Sequence, residues 1–228
     1  MDPSPARQLL DGWEAVRGEP LPVRAAALAA LASARPLGEA MRWSIPRRDR
    51  VLFAFRARVF GDAIDAVTRC PRCDEPLEMQ LSLAAVQPRG RGPTGDARTV
   101  QLGRRRIRCR LPNTEDLMAV AGLADVAAAR AALLERCIES DDGASRERAA
   151  ALLPAEPTDV RLNLTCPACA HAWDSPFDIA AFAWREVDEW AERTLREIHV
   201  LARAYGWTED EILTLGARRR QTYVEMNS

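Results

Sequence analysis

The feature that most constrains this chain is a stretch that occurs twice. CPRCDEPLEMQLSLAAV (Cys70–Val86) and CPACAHAWDSPFDIAAF (Cys166–Phe182) both read C-P-x-C-x-x-x-φ-x-x-x-φ-x-φ-A-A-φ, where φ is apolar. Alternating residues lead into each: Ile64, Ala66 and Thr68 before the first, VRLNLT before the second. After the first, Leu77, Met79 and Leu81 alternate with Glu78 and Gln80, the period-2 mark of a strand. Two strand–knuckle–strand units are the parts of a zinc ribbon. There, two knuckles give four thiolates to one ion at about 2.3 Å, and the filled tetrahedron makes the site structural. The spacing therefore points to Cys70, Cys73, Cys166 and Cys169 as metal ligands and to Zn2+ as a structural cofactor. Roughly 90 residues separate the halves, more than an ordinary ribbon has, so the segment from about 98 to 153 reads as an insertion or flanking layer.

Two other roles are open to a Cys-x-x-Cys. A redox pair needs an exposed thiol of low pKa and usually one motif in a βαβ setting, whereas here two similar motifs lie between strands. Buried, inert cysteines are the other alternative, and matched flanks are hard to explain by packing alone. His171 follows the second pair closely, but its counterpart in the repeat is Glu75, so it reads as a solvated turn residue. Cys109, on the apolar side of a strand, and Cys137, in an apolar helix, read as core residues.

All 32 basic residues are arginine, which excludes Schiff-base, P-loop and kinase-type lysines. The net charge of −1 gives no global drive toward nucleic acid or an anionic membrane. No apolar run approaches the ~18–20 residues of a membrane span. MDPSPARQLLDGW lacks the basic-then-apolar order of a signal peptide, so the expected location is the cytoplasm. In that reducing compartment six cysteines are not expected to form three disulfides.

The expected fold class is α+β, a split zinc-ribbon-like antiparallel β core between helical parts. Residues 1–61 form an N-terminal helical region: Ala6–Val16, Val23–Ala34 and a helix opening at SIPRRDR and ended by Gly61. Residues 62–86 and 158–178 are the ribbon halves. Residues 87–157 are the insertion, with a flexible QPRGRGPTGDA, a hairpin TVQLGRRRIRCRL, a helix capped by NTED, a second helix at Val126–Ile138, DDGASRER as a loop, and a last short turn at Ala149–Leu153. Residues 179–228 are helical, with Asp178 as cap, Val187, Trp190, Ile198, Leu201 and Tyr205 on one stripe, and Gly206 as stop. Thr208 and Glu211 form a capping box, and Gly216 precedes a basic last helix.

No constellation supports an enzyme. GRGPTG matches G-x-G-x-x-G, but a proline follows its second glycine and a hairpin, not a helix, follows it. His199 reads as packing beside an apolar stripe, and Asp188, Glu189 and Glu192 as solvated charges. The candidate partner-binding residues are Arg104, Arg105, Arg106, Trp207, Arg218, Arg219, Arg220 and Tyr223. Near-neutral charge and few interleaved aromatics favour protein partners over nucleic acid, and a zinc-ribbon nucleic-acid-binding or regulatory protein is the alternative.

The run REIHVLARAYGWTEDEILTLGARRRQTYVEM, preceded by FDIAAFAWREVDEWA, resembles the T4-like baseplate hub assembly chaperones of contractile phage tails and extracellular contractile injection systems. Arg47-Arg48-Asp49, CPRC with its E-x-x-L strand, RLP ending in Leu111-Pro112, LLERC and the second CPAC fit the same group. The resemblance implies an assembly factor or structural component of a baseplate or hub, cytoplasmic and open to incorporation into a phage-tail-like particle. Its partners would be baseplate, hub or spike proteins, with no catalytic residues, and the cysteine pairs would be the zinc ligands.

Overall fold

The computed structural model describes residues 4–86, 97–153 and 160–227. Its architecture is α+β: among the described residues, eleven helices surround three separate two-stranded antiparallel sheets. The reading of GRGPTG, and that of QPRGRGPTGDA apart from Ala97, lies outside those residues.

The N-terminal helices follow their sequence signals. α1 (Pro5–Val16) starts where the Ser4 side chain accepts from the Arg7 N–H, with proline in the first turn. α2 (Leu21–Ala32) buries Ala25, Ala26, Leu28, Ala29 and Ala30. A short α3 (Leu37–Ala40), not foreseen from the sequence, leads to α4 (Ile45–Phe60), which carries Pro46 in its first turn. The spine is α9 (Ile179–Tyr205), whose 27 residues span about 40 Å. Asp178 caps its start, accepting from the Ala180 N–H at 2.8 Å, and Gly206 ends it at φ 69°, a left-handed conformation natural to glycine. α10 (Glu209–Thr214), with the Thr208–Glu211 capping box, and α11 (Ala217–Glu225) fold back on the spine. The main core joins Leu9 and Trp13 of α1, Leu28 of α2, Leu52, Phe53 and Phe55 of α4, Val187 and Leu201 of α9, and Ile212 of α10. Each such side chain contributes about 1.5–3 kcal/mol by leaving water.

Two hairpins pack against this core. β1 (Ala63–Arg69) pairs with β2 (Pro76–Ser82), which runs into α5 (Leu83–Val86). The ribbon of β3 (Ala97–Leu102) and β4 (Arg105–Arg110) turns at Gly103, φ 62°. α6 (Thr114–Val120), α7 (Val126–Cys137) and α8 (Gly143–Ala151) follow it. β5 (Val160–Thr165) then pairs with β6 (Ala172–Phe177) immediately before α9.

The β3–β4 ribbon, α7 and α8 share a small core of their own, built on Ile107, Cys109, Cys137, Ile138 and Ala149. Both cysteines are packing residues, as the sequence suggested, and all six cysteines are free thiols. Asp116 ties this part together. It is fully buried, it completes the Asn113 capping box, and it accepts from Arg110 and Arg136. Burial alone would raise its carboxyl, but the two guanidiniums and the Asn113 N–H hold it well below the usual carboxylate range. The layer is joined to the first helices through backbone bonds from Ile45 N–H to Pro112 (2.9 Å) and Thr114 N–H to Met41 (3.1 Å).

Several expectations need correction. GASRER is helix, not loop, because the Asp142 carboxylate caps the Ser145 N–H at 2.7 Å and an alanine run follows. His199 is exposed rather than packed, since it falls just off the buried stripe of α9. Asp188 is not merely solvated: it accepts from the Trp13 indole N–H at 2.7 Å and so fastens α1 to the spine.

Candidate metal centre

The two knuckles are built alike down to the backbone. In the first, the Cys70 N–H donates to Glu75 O (2.9 Å) and the Asp74 N–H donates back to Cys70 O (2.9 Å). In the second, the Cys166 N–H donates to His171 O (2.9 Å) and the Ala170 N–H to Cys166 O (3.0 Å). The strand registers match at one constant offset, so Thr68 faces Leu77 where Leu164 faces Trp173. The correspondence continues past the strands. Leu83 and Ile179, the first residues of α5 and α9, are both buried, and so are Val86 and Phe182.

Each knuckle turns through one residue with positive φ, Asp74 at 59° and Ala170 at 55°. Aspartate tolerates this region, but alanine pays roughly 1 kcal/mol for it. Ala170→Gly is therefore expected to stabilise the protein by about 0.5 kcal/mol after the unfolded-state entropy of glycine is counted. Asp74→Gly should gain less, and urea unfolding of the two variants checks the order.

The four thiols converge. Cys70 Sγ lies 3.7 Å from Cys169 Sγ, and Cys73 Sγ lies 3.6 Å from Cys166 Sγ. All four sulfurs fall within 4.8 Å of one another. A tetrahedral ion with metal–sulfur bonds of about 2.3 Å needs sulfur–sulfur edges of about 3.8 Å, so the cluster has the size of a four-thiolate metal site. Cys70 and Cys166 are 2% and 1% exposed, while Cys169 is half-buried and Cys73 exposed. Leu77, Met79 and Trp173 pack around the sulfurs.

The electrostatics favour a cation. Burial opposes ionisation of Cys70, but the N–H groups of Arg72 and Cys73 and the neighbouring thiols pull it down to about 7. The Glu75 N–H favours a Cys73 thiolate, yet the adjoining sulfurs and burial push that thiol up to about 12. One sulfur of the set thus ionises readily and the next resists, because negative charge so closely spaced needs a positive centre. Nearby, Arg69 is engaged by Asp74 at 3.2 Å, and the Arg72 N–H reaches Cys70 Sγ at 3.4 Å. His171 is not in the cluster: its ring stacks on Trp173, centroids 5.9 Å apart.

The other candidate residues lie elsewhere. Arg104, Arg105 and Arg106 are exposed at the turn and start of β4. Trp207 and Tyr223 meet edge-on at 5.2 Å, and Tyr205 stacks on Trp207 at 4.6 Å. Arg218 and Arg219 are exposed on α11. Arg220 departs from the expected surface role: it is 4% exposed, donating to Glu197 (2.9 Å) and to Leu215 O (2.7 Å), so it anchors α11 to α9.

Sequence reasoning missed Arg56, which is 2% exposed. It donates to both oxygens of Glu186 at 2.8 and 2.9 Å and to the carbonyls of Gly61 and Ala63 at 2.7 and 2.5 Å. The end of α4, the entry to the first ribbon half and α9 meet on this one side chain. Its position four residues after Leu52 and three after Phe53, on the apolar stripe, was the available signal. Among the described residues no helix is long and apolar enough to cross a membrane. No family model, curated protein or solved structure matches this chain.

Proposed function

We propose that the protein works by holding other proteins and not by catalysis, as an assembly factor or structural component of a contractile, phage-tail-like baseplate or hub. Zn2+ is the ion that best suits its clamp: four thiolates in a tetrahedron leave no open position for substrate, which is the structural mode of that metal. The observation that carries the reading is this closed cluster. Among the described residues the four cysteines gather with their sulfurs facing one another, between two matched hairpins that lead directly into α5 and α9. The exposed surface instead offers Arg218, Arg219 and Tyr205 at the C-terminal helices, with Trp207 and Tyr223 half-buried beneath them, residue types that dominate protein interfaces. The baseplate setting rests on the C-terminal resemblance, YGWTEDEIL above all.

Affinity purification of the tagged chain from cells expressing its native gene neighbourhood tests this. Recovery of tail-tube, hub or spike subunits is the expected result. Recovery of none, under conditions that retain known complexes of such particles, overturns the reading.

A further inference from the structure

We infer that the outward face of the β3–β4 ribbon is a docking surface for an extended acidic segment of a partner protein, engaged through Arg104, Arg106 and Arg108. The inference rests on the protein-partner reading above and gives the partner's chemistry.

The two faces of the ribbon differ sharply. Val100, Ile107 and Cys109 pack inward on the small core of this layer. In register on the other face stand Gln101 opposite Arg106 and Thr99 opposite Arg108, all exposed. The far edge of β4 is already occupied, since Cys109 bridges to Ile138 and the Glu139 N–H donates to Arg108 O at 3.0 Å. On the β4 side it is therefore the face, and not the strand edge, that is offered to solvent. Among the described residues Arg104 and Arg106 have no ion-pair partner, and Arg108 has only Glu139 at 3.9 Å with both side chains mostly exposed. Arg105 points into the alternate set and lies in the field of Asp142, the cap of α8.

The spacing selects the partner. Arg106 and Arg108 alternate along β4, so their backbone positions repeat at about 7 Å on one face, and Arg104 extends that row at the turn. An extended peptide repeats its same-side residues at the same interval, so acids at alternate positions meet the arginines one to one, each in the forked geometry that guanidinium and carboxylate share. The ribbon sequence ARTVQLGRRRIRCR contains no aromatic residue on which bases could stack, and the chain's net charge of −1 supplies no long-range pull on nucleic acid. An acidic protein segment is therefore favoured over a nucleic-acid strand.

The test uses the full-length, metal-loaded protein and fluorescence anisotropy at about 50 mM salt, where surface charges are weakly screened. Three probes are compared: a peptide alternating Glu and Thr, a peptide of the same composition with its glutamates consecutive, and a single-stranded oligonucleotide of equal charge. The alternating peptide is expected to bind about tenfold tighter than the other two. Changing Arg104, Arg106 and Arg108 together to glutamine should cost at least about tenfold, with the circular dichroism spectrum unchanged. Equal binding of the two peptides, or binding indifferent to the triple variant, overturns the inference. Tighter binding of the oligonucleotide with the same arginine dependence also overturns it, in favour of nucleic acid. The purification experiment fails separately: tail subunits recovered without any peptide preference leave the functional reading standing and remove only this inference.

Discussion

Replacing Cys70 and Cys166 together by serine is expected to abolish metal retention and unfold the two hairpins, lowering the melting midpoint by more than about 10 °C. The wild-type protein should carry close to one equivalent of zinc by elemental analysis, and the variant almost none. These are the two most buried sulfurs of the cluster, one from each knuckle, so the change removes half of each pair without touching the strand registers. The linkage sign is fixed by the chemistry. Binding requires thiolates, so the metal-bound state holds thiol pKa values below their unfolded values; its extra stability is present at high pH and is lost as pH falls. Metal uptake displaces thiol protons, so the apparent affinity should fall steeply as the pH is lowered, which a competition titration with a zinc chelator at several pH values checks. Less than about half an equivalent of zinc in the wild type, or an unaltered melting curve for the double variant, would contradict the clamp.

Arg56→Ala is expected to cost about 4 kcal/mol, equivalent to a drop of roughly 10 °C in a protein of this size. The loss has three parts: a buried ion pair broken with Glu186 left behind, two carbonyls without a donor, and a cavity against Phe182, whose ring lies 5.6 Å below the guanidinium. Glu186→Gln keeps a polar partner for Arg56 and should cost only about 1–2 kcal/mol. Chemical denaturation of both variants separates these outcomes. A cost below about 1 kcal/mol for Arg56→Ala would show that the four donors are not needed to fix α4 against α9.

Residues that act through their own neighbours in the chain were readable. The Asp178 cap, the Thr208–Glu211 box and the glycine stop at Gly206 each use groups within a few positions, and all three appear where the sequence places them. The cysteine cluster was readable across a long gap only because its halves repeat each other. Arg56 and Glu186 have no such echo. They are 130 residues apart, and an arginine in a helix looks solvated until the facing element is known. Arg220 was misplaced for the same reason, as one of three consecutive arginines whose environments diverge only when Glu197 arrives from another helix. At Asp142 the double aspartate and glycine suggested a turn, whereas the second aspartate was opening a helix.

The matched knuckles also bear on how this chain tolerates change. Because the first pair of thiols and the second meet at one point, the segment between them is a loop that a metal ion held there would close. Closing such a loop costs entropy that grows only logarithmically, about 0.6 kcal/mol for each doubling of length. Segments can therefore be lengthened, shortened or exchanged inside it while the helices outside keep their starting points. The arginine ribbon lies within that loop, so its length and turn can change without moving the first residues of α5 and α9.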